Sequence, residues 1–157
     1  MSLLALVSSI FVPTFARRLR TNKLDEATEM LATMSRGARA YYEQHRRDCL
    51  PSAAGPTPET PSVDPVQVDF TSEETLGYET WRALELQTDR PIRFTYEYLP
   101  SESGCGLAAR EAPIEILLRA RGDLDGDSVE STFERRATIG RDGFHESGAL
   151  LVHRRTE

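Results

Sequence analysis

The densest chemistry in the chain is a run of oxygen-bearing groups between residues 123 and 134: Asp123, Asp125, Asp127, the Val129 carbonyl, Ser131 and Glu134. A calcium loop takes hard oxygen ligands at its positions 1, 3, 5, 7, 9 and 12, and these six groups fall on those positions. The sixth position, where such loops carry glycine for a sharp turn, is Ser128, while Gly126 stands two places earlier. The segment before the run reads as strand, so this is a calcium loop without the helix–loop–helix frame. The competing reading is an acidic turn between strands, where Asp and Gly are favoured for backbone reasons alone. Three aspartates within five residues repel one another unless a positive charge sits among them. Calcium could supply it, and so could Arg119, Arg121 and Arg135.

Catalysis has little to stand on. His45, His145 and His153 are scattered, with no i, i+4 metal pair, no Gly-rich phosphate loop and no nucleophile set in a motif. The expectation is a protein that is not an enzyme and has no small-molecule substrate. His45 and Cys49 stand four apart, but a disulfide or incidental neighbours explain that spacing better than an activated thiolate. A net charge of -6 gives no reason to expect nucleic acid as a partner, and Lys23 is the single lysine.

The elements that position these groups begin with a long helix, Leu3 to about Arg47. Its opening carries Leu3, Leu4, Leu6, Val7, Ile10, Phe11, Val12, Pro13 and Phe15 and is apolar on every side, as a segment in lipid or in a buried bundle must be. The remainder is amphipathic: Leu24, Ala27, Leu31, Met34, Ala38 and Tyr41 recur at spacings of three and four. At 1.5 Å per residue the helix would be on the order of 65 Å long, so its first half is expected to protrude. Pro13 lacks an N–H and predicts a kink, and Gly37 is a mild penalty of roughly 1 kcal/mol against alanine.

After Cys49 the composition shifts. Pro51, Pro56, Pro58, Pro61 and Pro65 mark a surface connection that cannot hold helix or a central strand; it is expected either to wrap the sheet edge or face a neighbour, or to be a flexible loop with no partner. Val66 to Phe70 alternates like a short strand, and Tyr78 to Leu86 reads as a helical turn running into a strand, with Trp81 in the core. Ile92–Leu99 and Ile114–Ala120 alternate cleanly and predict an antiparallel pair. Thr132–Ile139 and Ala149–Arg154, separated by the turn sequence Gly140-Arg141-Asp142-Gly143, complete a small sheet. The expected fold is therefore α+β: a long N-terminal helix over residues 1–48, with an apolar part over 1–16, packed on an antiparallel sheet of about four strands within 49–157.

One family shares this order of features. The apolar helix, Phe11-Val12-Pro13-Thr14-Phe15, the basic cluster of Arg17, Arg18, Arg20 and Lys23, the amphipathic half and the paired Tyr41-Tyr42 resemble the N-terminal helix of type IV pilins and their minor-pilin and pseudopilin relatives. Gly55-Pro56-Thr57-Pro58, Trp81, Gly122-Asp123-Leu124-Asp125-Gly126-Asp127 and Ser131-Thr132-Phe133-Glu134 are similar to a subgroup of pilin-like proteins. The family's basic leader, its glycine at the cleavage point and its glutamate early in the mature helix are absent, and Pro13 comes about nine residues sooner than in the family pattern. The expectation is a truncated or degenerate start, and no processing residue is assigned.

The resemblance implies a structural subunit of a type IV pilus-like or type II secretion pseudopilus filament. Its apolar helix would sit in the inner membrane before assembly and among sister helices afterwards, with the filament on the cell surface. The alternative is a membrane-tethered or secreted calcium-binding module that does not polymerise. The basic cluster could meet lipid headgroups, meet a neighbour's acids or simply solvate the helix. In an exported protein Cys49 and Cys105 would pair, a staple of about 4 kcal/mol in the chain-entropy model. In a reducing compartment they would be two unrelated thiols.

Overall fold

A computed structural model describes residues 3–123 and 126–153, with the side chains of the first helix described from Leu24 onward. Helix α1 runs Leu3–Gln44. Within its described side chains Ala27, Leu31, Met34 and Ala38 are fully enclosed, Met30 joins them, and the stripe ends on Tyr42, with Tyr41 only partly covered. Beyond α1 come β1 (Cys49–Leu50), β2 (Ala54–Thr57), α2 (Tyr78–Ala83), β3 (Thr95–Pro100), β4 (Gly104–Cys105) and a 3-10 turn at Leu107–Ala109. Then follow β5 (Ile114–Gly122), β6 (Ser131–Gly140), β7 (Gly143–Glu146) and β8 (Leu151–His153).

These strands correct the expectation of a long helix on one sheet of about four strands. Among the described residues eight strands form two antiparallel sheets, a two-stranded β1–β4 ribbon and a six-stranded sheet in the order β2-β3-β5-β6-β7 with β8 also on β6, so the fold is sheet-rich. The reasons are local. β2 contains Gly55 and Pro56, which argue against a central strand, but it pairs only with β3 at the sheet edge, where a missing N–H costs no ladder bond. β6 is ten residues long and hosts two partners in turn, β8 against Thr132–Glu134 and β7 against Ala137–Gly140. The Gly140–Gly143 turn therefore leads into β7, which the sequence pattern missed. β1 and β4 are two residues each, too short for alternation to appear.

Other segments moved less. Val66 makes only an isolated bridge to Ile92, while Phe70 is buried. α2 forms at Tyr78–Ala83, and no strand follows it directly. On β5 the residues Ile114, Ile116, Leu118, Ala120 and Gly122 are buried, and Glu115, Leu117, Arg119 and Arg121 point to the other face. The inward set joins Tyr96, Tyr98, Phe133 and the buried face of α1 in one core.

Gly37 is where α1 meets the end of α2. A Cβ at this position would collide with the Leu84 carbonyl oxygen and lie 2.8 Å from its carbonyl carbon. Both partners are backbone, so no rotamer change relieves the contact. Gly37→Ala should gain about 1 kcal/mol of helix propensity yet lose about 3 to overpacking, for a net destabilisation of about 2 kcal/mol. A thermal melt checks the sign: an unchanged or higher midpoint would mean that the two backbones can part freely.

Candidate functional site

The β5–β6 turn holds the acidic run in a self-bonded loop. Asp123 accepts the Gly126 N–H on Oδ1 at 2.7 Å and the Ser128 N–H on Oδ2 at 3.0 Å, and Asp127 Oδ1 accepts the Val129 N–H at 2.7 Å. The left-handed bend expected at the sixth loop position does occur at Ser128, with φ 68°, and Gly126 bends the same way at φ 81°. Asp125 lies outside the described residues. Ser131 and Glu134 are not brought to the loop together. Three residues apart on β6, they face opposite sides of the sheet: Ser131 is fully buried across from Gly122, and Glu134 lies across from Arg119. An ion held by all six groups would require Glu134 to leave its arginines. Among the described residues no group of three or more His, Cys, Asp or Glu is placed to hold a metal.

Glu134 belongs instead to a charge ladder on the sheet face away from α1. Glu97, Arg119 and Glu134 stand in register across β3, β5 and β6. Arg119 bridges them at 3.6 Å and 3.0 Å, Arg121 reaches Glu97 at 3.4 Å and Glu130 at 3.4 Å, and Arg136 reaches Glu134 at 3.5 Å. Three arginines meet three glutamates, so this face is internally neutralised rather than a free charged patch.

The two cysteines form a disulfide, and they stand directly opposite one another in the β1–β4 ribbon. Asp48, one residue earlier, ties the same spot without covalent help. Its carboxylate accepts the Gly106 N–H at 3.0 Å and the Ala108 N–H at 2.9 Å, and its carbonyl accepts the Leu107 N–H at 3.0 Å. The Ala108 and Gly106 N–H groups hold the Asp48 carboxyl below the usual aspartate range. A depressed folded value means stability that is fully present above the unfolded value and lost as pH falls through the folded one. Carboxyl-carbon NMR should place the Asp48 midpoint below that of an ordinary aspartate, and Asp48→Asn should flatten the acid limb of unfolding. An Asp48 midpoint at the ordinary value would remove this tie from the argument.

α1 carries a second clamp that the sequence pattern missed. Glu26 looks like one of the polar residues off the apolar stripe, yet its Oε1 accepts the Arg93 N–H at 2.8 Å, the Phe94 N–H at 3.4 Å and the Tyr96 hydroxyl at 3.2 Å. Burial first, and then the Glu26 carboxylate beside it, push the Tyr96 phenol far above its usual range. This fastens α1 to the approach to β3, where the last residues before the strand would otherwise have open donors.

The far end of the hairpin also gathers residues that no motif announced. Where α1 stops, Arg46 and Arg47 both take left-handed backbone conformations, φ 58° and 60°, and share an open cavity of about 510 Å³ with Arg110, Glu111 and Arg141. The only legible signal was the Arg46-Arg47 pair itself; Arg141 joins them through the β6–β7 turn. The apolar set Leu3, Leu4, Leu6, Val7, Ile10, Phe11, Val12, Pro13 and Phe15 lies on α1, but its side chains are outside the described ones. Among the described residues no helix is long and apolar enough to cross a membrane. No family model, curated protein or solved structure matches this chain.

Proposed function

We propose that the protein is a structural subunit of a pilus-like or pseudopilus filament, associating through α1. The observation that carries this reading is the two characters of α1: the helix begins at Leu3 with a sequence apolar on every side, whereas from Leu24 onward its described side chains lay an amphipathic stripe against the core. The part before Leu24 opens with a sequence that is apolar on every side, and nothing polar in Leu3–Ala16 except Ser8, Ser9 and Thr14 would welcome water. Sister helices or lipid would remove that surface from water at roughly 25 cal/mol per Å². The disulfide and the absence of a recognisable nucleophile set fit an exported, non-catalytic role. Before assembly the apolar stretch would lie in the inner membrane, with Arg17, Arg18, Arg20 and Lys23 at its boundary.

The test compares the full chain with one lacking residues 1–16. The full chain should need detergent or lipid and should form ordered polymers when these are withdrawn slowly, as seen by electron microscopy. The shortened chain should stay monomeric. A full chain that is monomeric and freely soluble without detergent or lipid overturns the filament reading.

A further inference from the structure

The C-terminal end of α1 opens on the cavity of about 510 Å³, whose charge is mostly of one sign. Arg46, Arg47 and Arg141 line it, and among the described residues their guanidiniums make no ion pair and no hydrogen bond. Arg110 also lines it but is paired with Glu102 at 2.8 Å, and Glu111 is the one carboxylate in the lining. Asp48, close in sequence, is committed elsewhere, since its carboxylate oxygens accept the Gly106 and Ala108 N–H groups. The end of a helix contributes a partial charge of about -0.5, a fraction of what three arginines carry. The larger cleft, between α1 and residues 87–93, differs in this respect, because its Arg90 and Arg93 already pair with Glu29 and Glu26.

The cavity is also held in shape. Arg46 and Arg47 follow one another in left-handed backbone, which residues with a Cβ seldom adopt, and the Arg47 N–H closes the turn on the Tyr42 carbonyl at 2.9 Å. Leu107 and Ala108, also in the lining, are fixed to Asp48, and Cys105 just before them is bonded to Cys49. Arg141 arrives on the β6–β7 turn, next to the Ile114↔Ile139 pair. Ala112 and Pro113 add exposed apolar surface, so the lining joins cationic groups to an apolar wall.

We propose that this cavity binds a phosphate monoester carried on a small, partly apolar molecule. Guanidinium forks match phosphate oxygens, and a monoester brings about 1.5 to 2 negative charges and three acceptor oxygens, where a lone carboxylate brings one charge. The volume is that of a small-molecule site, which spans about 300–1,000 Å³. The ligand comes from solution rather than from a membrane holding residues 3–16, because α1 advances about 30 Å from Leu24 to Gln44 before the cavity is reached. The site belongs to the head and does not depend on how α1 associates.

Isothermal titration of the full chain in a non-ionic detergent with phenyl phosphate tests it, with inorganic phosphate and benzoate as comparisons. Phenyl phosphate should bind saturably, more tightly than inorganic phosphate, which lacks the apolar body, and than benzoate, which lacks the second charge. Its affinity should fall as salt rises. Arg141→Gln, and Arg46→Gln with Arg47→Gln, should each weaken it at least about tenfold, whereas Arg90→Gln in the other cleft should leave it unchanged. Arg141 is an exposed turn residue, so its variant decides the matter even if the paired change disturbs the end of α1. Arg141→Lys, which keeps the charge and loses the fork, should restore only part of the affinity. Absent binding, benzoate binding as tightly, or indifference to Arg141→Gln overturns the site. In bilayer discs, replacing some phosphatidylcholine by phosphatidic acid should not change the affinity for phenyl phosphate; competition by that lipid would overturn the soluble ligand in favour of a headgroup.

Discussion

Replacing Trp81 by alanine should lower the stability of the head by about 4 kcal/mol, in the range measured for deleting a fully buried aromatic ring. Trp81 is completely enclosed and packs edge-on against Phe70 at 5.7 Å, which in turn meets Tyr96 at 6.4 Å. Its indole N–H is shared between the Leu76 carbonyl at 2.9 Å and the Thr57 hydroxyl at 3.1 Å. One side chain therefore joins α2, the edge strand β2 and the long connection after it. Trp81→Phe separates the two contributions: the ring is largely retained, the donor is lost, and the cost should fall to about 1–2 kcal/mol. Because this is the only tryptophan, wild-type unfolding can be followed by fluorescence and the variants by far-UV circular dichroism. A Trp81→Ala midpoint within a degree or two of wild type would contradict the packing described, since about 4 kcal/mol corresponds to roughly 8–16 °C for a chain of this size.

Removing the disulfide should cost a similar amount. The bond joins residues 56 apart in sequence, and closing a loop of that length restricts the unfolded chain by about 4 kcal/mol in the chain-entropy model. Cys49→Ala with Cys105→Ala should therefore shift denaturant midpoints strongly, whereas the β1–β4 ribbon should keep its place through Asp48. Amide exchange distinguishes the two effects. Protection at Gly106 and Ala108 should persist in the double variant, lowered only in step with global stability. Selective loss there would mean that the covalent tie, and not Asp48, positions the ribbon.

Periodicity was the legible part of this fold. The apolar stripe of α1 and the alternation of β5 follow from spacing, because a long element repeats its pattern often enough to be read, and the burial of Trp81 follows from its residue type among aliphatic neighbours. Short or composite elements left no such trace. β1 and β4 are too brief to alternate, β2 hides behind Pro56, and β6 gives no hint that its two halves serve different partners. Gly37 shows the limit most plainly. Propensity counts it as a defect in a helix, whereas the nearby Leu84 backbone makes any larger residue the defect. The acidic run was legible as an acidic run. What spacing could not convey was that strand pleating turns Ser131 and Glu134 to opposite faces and commits Glu134 to Arg119.

The covalent bond between β1 and β4 also determines how the molecule yields when pulled. α1 ends at Gln44, only a few residues before Cys49, so tension arriving along the helix reaches the cross-link almost at once. While the bond is intact the 56-residue stretch it closes is withheld from extension. At about 3.4 Å per residue that is roughly 190 Å of slack that cannot be released. A force-extension trace of the oxidised chain should therefore be shorter by about that length than one of the reduced chain, which would make the bond a limit on stretch as well as a source of stability.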